Sequence, residues 1–392
     1  MDITQRAVVT LLKSAITGES YPLPQGFSLA AVYPSLKKHH MDALLYEGAV
    51  RCGISRKEET MQSLFRKYCK ALLRSEGQMA QVMRITQAFD DNGIDYMPLK
   101  GCKLKSLYPK PEMRTMGDAD ILVRMEQYEK IVPIMESLGF AMDVQSDHEY
   151  IWRHPQLLAE LHKRLIPSYN EDFYAYFREG WQMARPKSGN AYEMTPEDEF
   201  VYLFTHFSKH FRDGGIGCRY VLDLWVYRRA NPNLDTPYLR KALESVGLLE
   251  FYENIRDLMA VWFEDRESDP VADLLTDYIF ASGSWGGAES HALSQMVRSA
   301  EKSGLSRGGK LLYLQGSLFP KVTQLETKYP VLKKAPWMLP LVWLYRPFYK
   351  VLFERKDVKR KQMILQKITA EGVDARREML RYVGLDFPGK QN

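Results

Sequence analysis

Two aspartates, Asp118 and Asp120, stand two residues apart in the run Gly117-Asp118-Ala119-Asp120-Ile121-Leu122-Val123. Alternate residues of a strand share a face, so both carboxylates point one way and Ala119 the other. Paired carboxylates repel unless one takes a proton or a cation lies between them. A divalent ion with oxygen ligands answers that repulsion, and Mg²⁺ brings phosphates with it. On this reading, replacing either aspartate by asparagine relieves repulsion and leaves the metal-free protein as stable or more so. Upstream, the apolar run Tyr96-Met97-Pro98-Leu99 ends at Lys100-Gly101 and gives way to helical spacing at Leu104, Leu107 and Tyr108. A loop holding Pro109 and Pro111 leads to Arg114, four residues before Asp118. Gly101 lets the backbone come close to a ligand.

These residues resemble the nucleotidyltransferase superfamily of DNA polymerase beta. That core is a strand, a Gly-Ser or Gly-Gly turn, a helix, and a strand carrying Asp-x-Asp. The fuller pattern is Leu99-Lys100-Gly101, Tyr108-Pro109, Arg114, Gly117-Asp118-x-Asp120-x-Leu122-Val123. It resembles more closely a group of bacterial proteins known as uncharacterised nucleotidyltransferases, and the resemblance continues to about Tyr227. It implies an α+β fold, with a small mixed β-sheet core, flanking helices, and largely α-helical N- and C-terminal regions. It also implies transfer of a nucleoside monophosphate from an NTP, ATP first, to a hydroxyl of a small molecule or protein, with pyrophosphate release. Mg²⁺ is the expected ion, with Mn²⁺ as its substitute.

The resemblance assigns catalysis and metal binding to Asp118, Asp120 and Glu160. It places nucleotide contacts at Lys100, Gly101, Cys102, Arg114, Gly117, Lys209 and Arg219. Cys102 departs from the pattern, which has Ser or Gly there, and a thiol is a poorer donor to phosphate than a hydroxyl. Glu160 lies in a run that alternates: Leu157, Ala159 and Leu161 on one face, Leu158, Glu160 and His162 on the other. Alone, that run reads as an edge strand with a solvated polar face. With two aspartates upstream, it reads as the strand that completes the metal site. Lys209 belongs to His206-x-x-Lys209-His210, and related proteins carry a similar pattern. No glutamate follows His206, so this is not a zinc-hydrolase signature. Arg219 and Asp223 are four apart, and the plain account is an ion pair along one helix. Two further readings use the same fold: a protein that binds nucleotide or a partner without turnover, and an antitoxin-like protein. The three carboxylates favour the enzyme.

The elements around this stretch are mostly helical. Val8, Leu11, Leu12 and Ile16 recur at helical spacing. A second helix is expected from Ser35 to Gly53 with Ser35 as its cap. A long one follows, with Ser55 capping and Glu58 three residues on, and ends at Asn92-Gly93. A helix over 127–138 should precede strands over 140–144, 149–152 and 157–165. From Thr195-Pro196 onward the pattern is helical, with Thr195 as cap and proline at the first helical position. The expected divisions are an N-terminal helical region (1–92), the core (93–195), a helical domain (196–330) and a helical extension (331–392).

Composition bounds the rest. The hydrophobic fraction is 45% and the charged fraction 26%, which is ordinary for a globular chain. A net charge of +5 fits an anionic substrate and is too small to argue for nucleic acid. The four cysteines are dispersed without a Cys-x-x-Cys pair, so they read as reduced thiols in the cytoplasm. The first residues lack a signal-peptide cleavage site. The apolar run Trp337 to Phe353 is interrupted by Pro340, Arg346, Pro347 and Lys350 and is short of the ~20 residues a span needs. It reads as a pair of short packed helices. Peripheral membrane contact, helped by the basic run Arg355 to Lys361, is the alternative.

Overall fold

The computed structural model describes residues 1–284, 286–303, 309–325, 329–353 and 355–387. Its strands are β1 Tyr96–Pro98, β2 Ala119–Val123, β3 Ala141–Gln145, β4 Glu149–His154, β5 Leu157–His162, β6 Arg185–Ser188 and β7 Ala191–Glu193. They form one mixed sheet in the order β3-β4-β5-β2-β1-β7-β6. β2 runs antiparallel to β1 and parallel to β5. The described strands all lie between Tyr96 and Glu193, with helices on either side in sequence. The protein is α+β, a small mixed sheet set among helices.

Residue parity builds the sheet. Ala119, Ile121 and Val123 of β2 and Leu157, Ala159 and Leu161 of β5 all face one core. That core is closed by Val82, Ile85 and Phe89 of the long helix Glu59–Asp91, and by Ile131 and Met135 of the helix Tyr128–Ser137. Fully burying one such side chain contributes about 1.5–3 kcal/mol, so the apolar face fixes the register. The opposite parity, Asp120 with Glu160 and His162, must then share the other face.

β5 is not an edge strand. A two-residue turn, Pro155-Gln156, folds β4 back onto one side of it, and β2 pairs with the other. The edge on that side of the sheet is β3, whose residues are exposed. β6 and β7 were not legible as separate strands. They are short and solvated, with Pro186 inside β6, and β7 meets β1 through a single register pair.

Helix starts differ from the expected caps. Ser35 lies inside the helix Leu29–Leu36, and the next helix is Asp42–Arg51. The long helix begins at Glu59, because Ser55 instead accepts from the Lys57 backbone and turns the chain before it. Its end, with Asn92 as cap and Gly93 at φ 64°, follows the left-handed stop that glycine permits. Thr195 does cap: its Oγ1 accepts from the Asp198 backbone at 3.0 Å, ahead of the helix Pro196–Asp213.

By its contacts the chain divides into two units, Met1–Ser208 with Gly217–Ser284, and Lys209–Ile216 with Trp285–Asn392. The first holds the whole sheet. The described part of the second is helical and includes Ala288–Ser303, Gly309–Leu318, Leu339–Phe353, Arg355–Lys367 and Ala370–Tyr382. In it Arg376 donates to the Phe211 carbonyl at 2.8 Å, and Arg298 pairs with Asp213 at 2.6 Å. The stretch expected to form two short packed helices is one helix, Leu339–Phe353, after a short turn at Pro336–Met338. Val342 is its one buried residue among those described. No described helix is long and apolar enough to cross a membrane.

Candidate active site

The parallel ladder sets Asp120 directly beside Glu160, and Leu122 beside His162. Ligand atoms of Asp120, Glu160 and His162 all lie within 4.8 Å of one another. Asp120, 4% exposed, is the centre of the group. Its Oδ1 accepts from Lys100 Nζ at 2.6 Å and from His162 Nε2 at 2.8 Å. Burial alone would raise the Asp120 carboxyl, but the Lys100 ammonium and the His162 hydrogen bond outweigh it and hold the group well below the usual carboxylate range. Burial likewise opposes the Lys100 charge, yet Asp120 raises the ammonium well above its ordinary value. The pair is therefore ionised.

The other two carboxyls behave in the opposite sense. Burial, and then the charges of Asp118, Asp120 and Glu149, push Glu160 up to about 9. Burial and the Asp120 charge also raise Asp118, which stands just before β2. One lysine compensates one carboxylate, and the remaining two carry unrelieved repulsion.

Burial lowers His162 below its ordinary value, so the ring is neutral, with Nε2 donating to ionised Asp120. Its Nδ1 then offers a lone pair, and this buried atom has no hydrogen-bond partner among the described residues. His148 and Glu149 extend the group, since their ligand atoms also come within 4.8 Å of His162 and of each other. His148 Nε2 is 2.9 Å from Glu149 Oε2, and its Nδ1 is 3.3 Å from Ser146 Oγ. Carboxyl groups of Asp120 and Glu160 within ligand reach of one another and of the His162 imidazole are a donor set that fits a divalent cation.

Lys100 reaches Asp120 from a strained turn. Its backbone sits at φ 41°, ψ −109°, immediately before the short helix Gly101–Leu104. Such a conformation costs a side-chain-bearing residue on the order of 1–3 kcal/mol. The turn is held because Leu99 N–H donates to the Asp120 carbonyl at 2.9 Å, which ties the end of β1 to β2. Gly101 has no room for a side chain: a Cβ would come within 2.9 Å of Met116 Cγ and 3.0 Å of Arg114 Nη1. Burial pushes the Cys102 thiol up to about 12, so it is neutral and does not act as a thiolate.

Arg114 has a different setting. It is buried and grips Asp223 with two hydrogen bonds, Nε to Oδ1 at 3.0 Å and Nη2 to Oδ2 at 3.2 Å. Tyr108 adds its hydroxyl to Asp223 Oδ1 at 2.6 Å. Arg219 lies 3.9 Å from Asp223 Oδ2 and donates to the Thr115 carbonyl at 3.0 Å. The Arg219–Asp223 spacing thus marks one edge of a larger cluster whose main pair is Arg114–Asp223. That cluster pins the loop between Tyr108 and Gly117 to the helix Cys218–Ala230. Gly117 is exposed at the end of the loop, next to Asp118. Lys209 and His210 belong to the part of the helix Pro196–Asp213 that groups with the second unit.

Sequence reasoning brought Asp118, Asp120 and Glu160 forward and noticed that Glu160 and His162 share a face. It did not assign His162 to Asp120, nor His148 and Glu149 to the same site. A usable signal existed, because the Pro155 turn sets β4 against β5 with Glu149 opposite His162.

The family model described as uncharacterised nucleotidyltransferase matches residues 27–264. That is more than half of the chain, and the chain belongs to this family. The match contains every residue of the site just described and ends before the helices of residues 288–382. Among curated proteins none matches the chain. Among solved structures, the solution structure of the antibiotic-resistance factor ANT(2'')-Ia is similar at 12% identity, over 44% of this chain and 93% of that one, with a TM-score of 0.34.

Proposed function

We propose that the protein transfers a nucleoside monophosphate from an NTP, ATP being the first candidate, to an acceptor hydroxyl and releases pyrophosphate. The observation that carries this reading is the ladder pair Asp120–Glu160, which puts a second carboxylate strand beside the Asp-x-Asp strand. Membership of the nucleotidyltransferase family supports the reaction class.

Asp118, Asp120 and Glu160 would hold Mg²⁺, or Mn²⁺ in its place. When bound, such an ion offsets negative charge on the phosphate oxygens. His162 keeps the Asp120 carboxylate oriented through its Nε2 hydrogen bond. Lys100 supplies a fixed positive charge beside the aspartates, where a triphosphate adds negative charge. The acceptor hydroxyl oxygen forms the new bond to the α-phosphorus, and the bond from that phosphorus to pyrophosphate breaks. Glu160, once it has given up the proton that burial favours in the metal-free protein, would receive the proton that the hydroxyl loses. Lys100, Gly101, Cys102 and Gly117 border the carboxylates and are assigned to the triphosphate. Arg114 and Arg219 act on it through the loop they hold. Lys209 is assigned on family resemblance alone.

The test is transfer of label from each α-labelled NTP, with and without Mg²⁺, to purified candidate acceptors and to a cell lysate. Label moving to an acceptor with one NTP and only with a divalent ion supports the reading. NTP binding with no transfer to any acceptor, in wild type and Glu160→Gln alike, would replace it with a binding protein.

A further inference from the structure

The second unit carries an apolar surface that its own packing does not cover. Within the helix Leu339–Phe353, residues Leu341, Leu344, Tyr345, Phe348, Val351 and Leu352 are exposed. Their spacing is helical, so they form one stripe. The opposite side packs through Val342 onto Leu325 and Leu332. Leu344 is 66% exposed and Phe348 71%, whereas isolated large apolar side chains, not stripes, are the ordinary case on a free surface.

The charge around this stripe is strongly one-sided. Residues 331–370 contain ten Lys and Arg and two Asp and Glu, a net of +8. The whole chain nets +5, so everything outside this segment is net acidic. Arg355, Lys356, Lys359 and Arg360 are exposed on the helix that follows the stripe. Beside it lies an open cleft of about 400 Å³ with apolar walls from Leu314, Leu318, Val351 and Leu365. Arg346 and Lys350 line the same cleft, and Val351 belongs to both cleft and stripe. Cations beside an apolar slot suit an amphiphile with an anionic head and a hydrocarbon tail.

We infer that this face docks on an anionic lipid bilayer, lying in the plane of the interface. The helix is 15 residues long, about 22 Å, which is short of the ~30 Å hydrocarbon core and suits a helix lying on the surface. Tyr345 and Trp337, both exposed, are side-chain types that settle at the headgroup level. Lys and Arg near an anionic leaflet add attraction that salt screens. The face lies outside the residues that match the nucleotidyltransferase family, so docking is separate from the transfer chemistry.

The experiment is flotation of the full-length protein with vesicles of phosphatidylcholine alone and of phosphatidylcholine mixed with phosphatidylglycerol. The expected result is at least ~10-fold more protein on the anionic vesicles, falling as salt rises. Leu344→Glu with Phe348→Glu should reduce binding to the level seen on neutral vesicles, with an unchanged circular dichroism spectrum. Lys356→Gln, Lys359→Gln and Arg360→Gln together should weaken binding and flatten its salt dependence. Equal recovery from both vesicle types overturns the inference, as does full binding by the Leu344→Glu/Phe348→Glu protein. So does a wild-type dimer that binds no vesicle and becomes a monomer in that variant, because the stripe is then a contact between copies.

Discussion

Two buried charge clusters stand on either side of the loop between Tyr108 and Gly117, and they are balanced in opposite ways. Around Asp223, one carboxylate meets Arg114 through two hydrogen bonds, with Tyr108 and Arg219 beside it. Around Asp120, one lysine and a neutral imidazole face Asp118, Asp120, Glu160 and Glu149. In the first cluster the Asp223 carboxylate is fully met by groups of the chain itself. The second holds more carboxyl groups than cations, so burial and mutual repulsion raise Asp118 and keep a proton on Glu160. A fold can keep an unrelieved cluster only if the rest of the structure over-determines it, and such clusters mark places where something else binds. Both began as candidates for binding the nucleotide, and charge balance separates them.

The largest expected effect breaks the satisfied cluster. Asp223→Asn removes the counter-charge of buried Arg114 and should cost about 3–5 kcal/mol, read by chemical denaturation. If Asp223→Asn keeps its stability and loses only NTP affinity, Asp223 and Arg114 belong to the site and the contrast collapses.

Next is Asp120→Asn. Transfer should fall by about 10²–10³, because one stabiliser of developing charge is lost. Sequence reasoning expected both aspartate variants to be neutral or stabilising without metal, and the structure splits that expectation. Asp120→Asn strands Lys100 and should lower the melting temperature, whereas Asp118→Asn removes repulsion and should leave it unchanged or raise it. Equal shifts in the two variants would mean that Lys100 does not compensate Asp120.

A smaller effect comes with pH. Between the ordinary carboxyl value and about 9, folded Glu160 holds a proton that the unfolded chain has released. Stability of the metal-free protein should therefore fall as pH rises through that window and level off above it. Glu160→Gln should flatten this dependence, as measured by melting temperature against pH. Binding of Mg²⁺ to the wild type should release a proton in the same window. A pH-independent melting temperature across it would place Glu160 outside the coupled group.

The smallest effect concerns the turn. At φ 41°, Lys100→Gly should be more stable than Lys100→Ala by about 1 kcal/mol, in spite of glycine's greater freedom when unfolded. Both lose the Asp120 ion pair, so their difference isolates backbone strain in chemical denaturation. Equal stabilities would show that the turn relaxes once the pair is gone.

Much of the site could be read from spacing. Asp118 and Asp120 share a face because strands have period two, and Glu160 and His162 share one for the same reason. The apolar partners Ala119, Ile121, Leu157, Ala159 and Leu161 fixed which face each pair would take. The Gly93 and Thr195-Pro196 boundaries were local signals with local causes, and they coincide with the ends of the observed elements. Ser35 and Ser55 failed as caps because neighbouring turns used those positions otherwise.

What spacing could not supply was pairing at long range. Which strand lies beside β2, and in which register, depends on contacts between residues forty apart, and parity alone permits several answers. Arg114 reads as a free loop cation until the helix carrying Asp223, 109 residues away, is packed against it. Lys100 reads as a phosphate-binding candidate beside the turn, and its ion pair with Asp120 emerges only once β1 is tied to β2. The sequence by itself determined which residue types face the site and which bury. Only the tertiary structure decided which charges neutralise one another, because compensation acts over a few ångströms between segments distant in the chain.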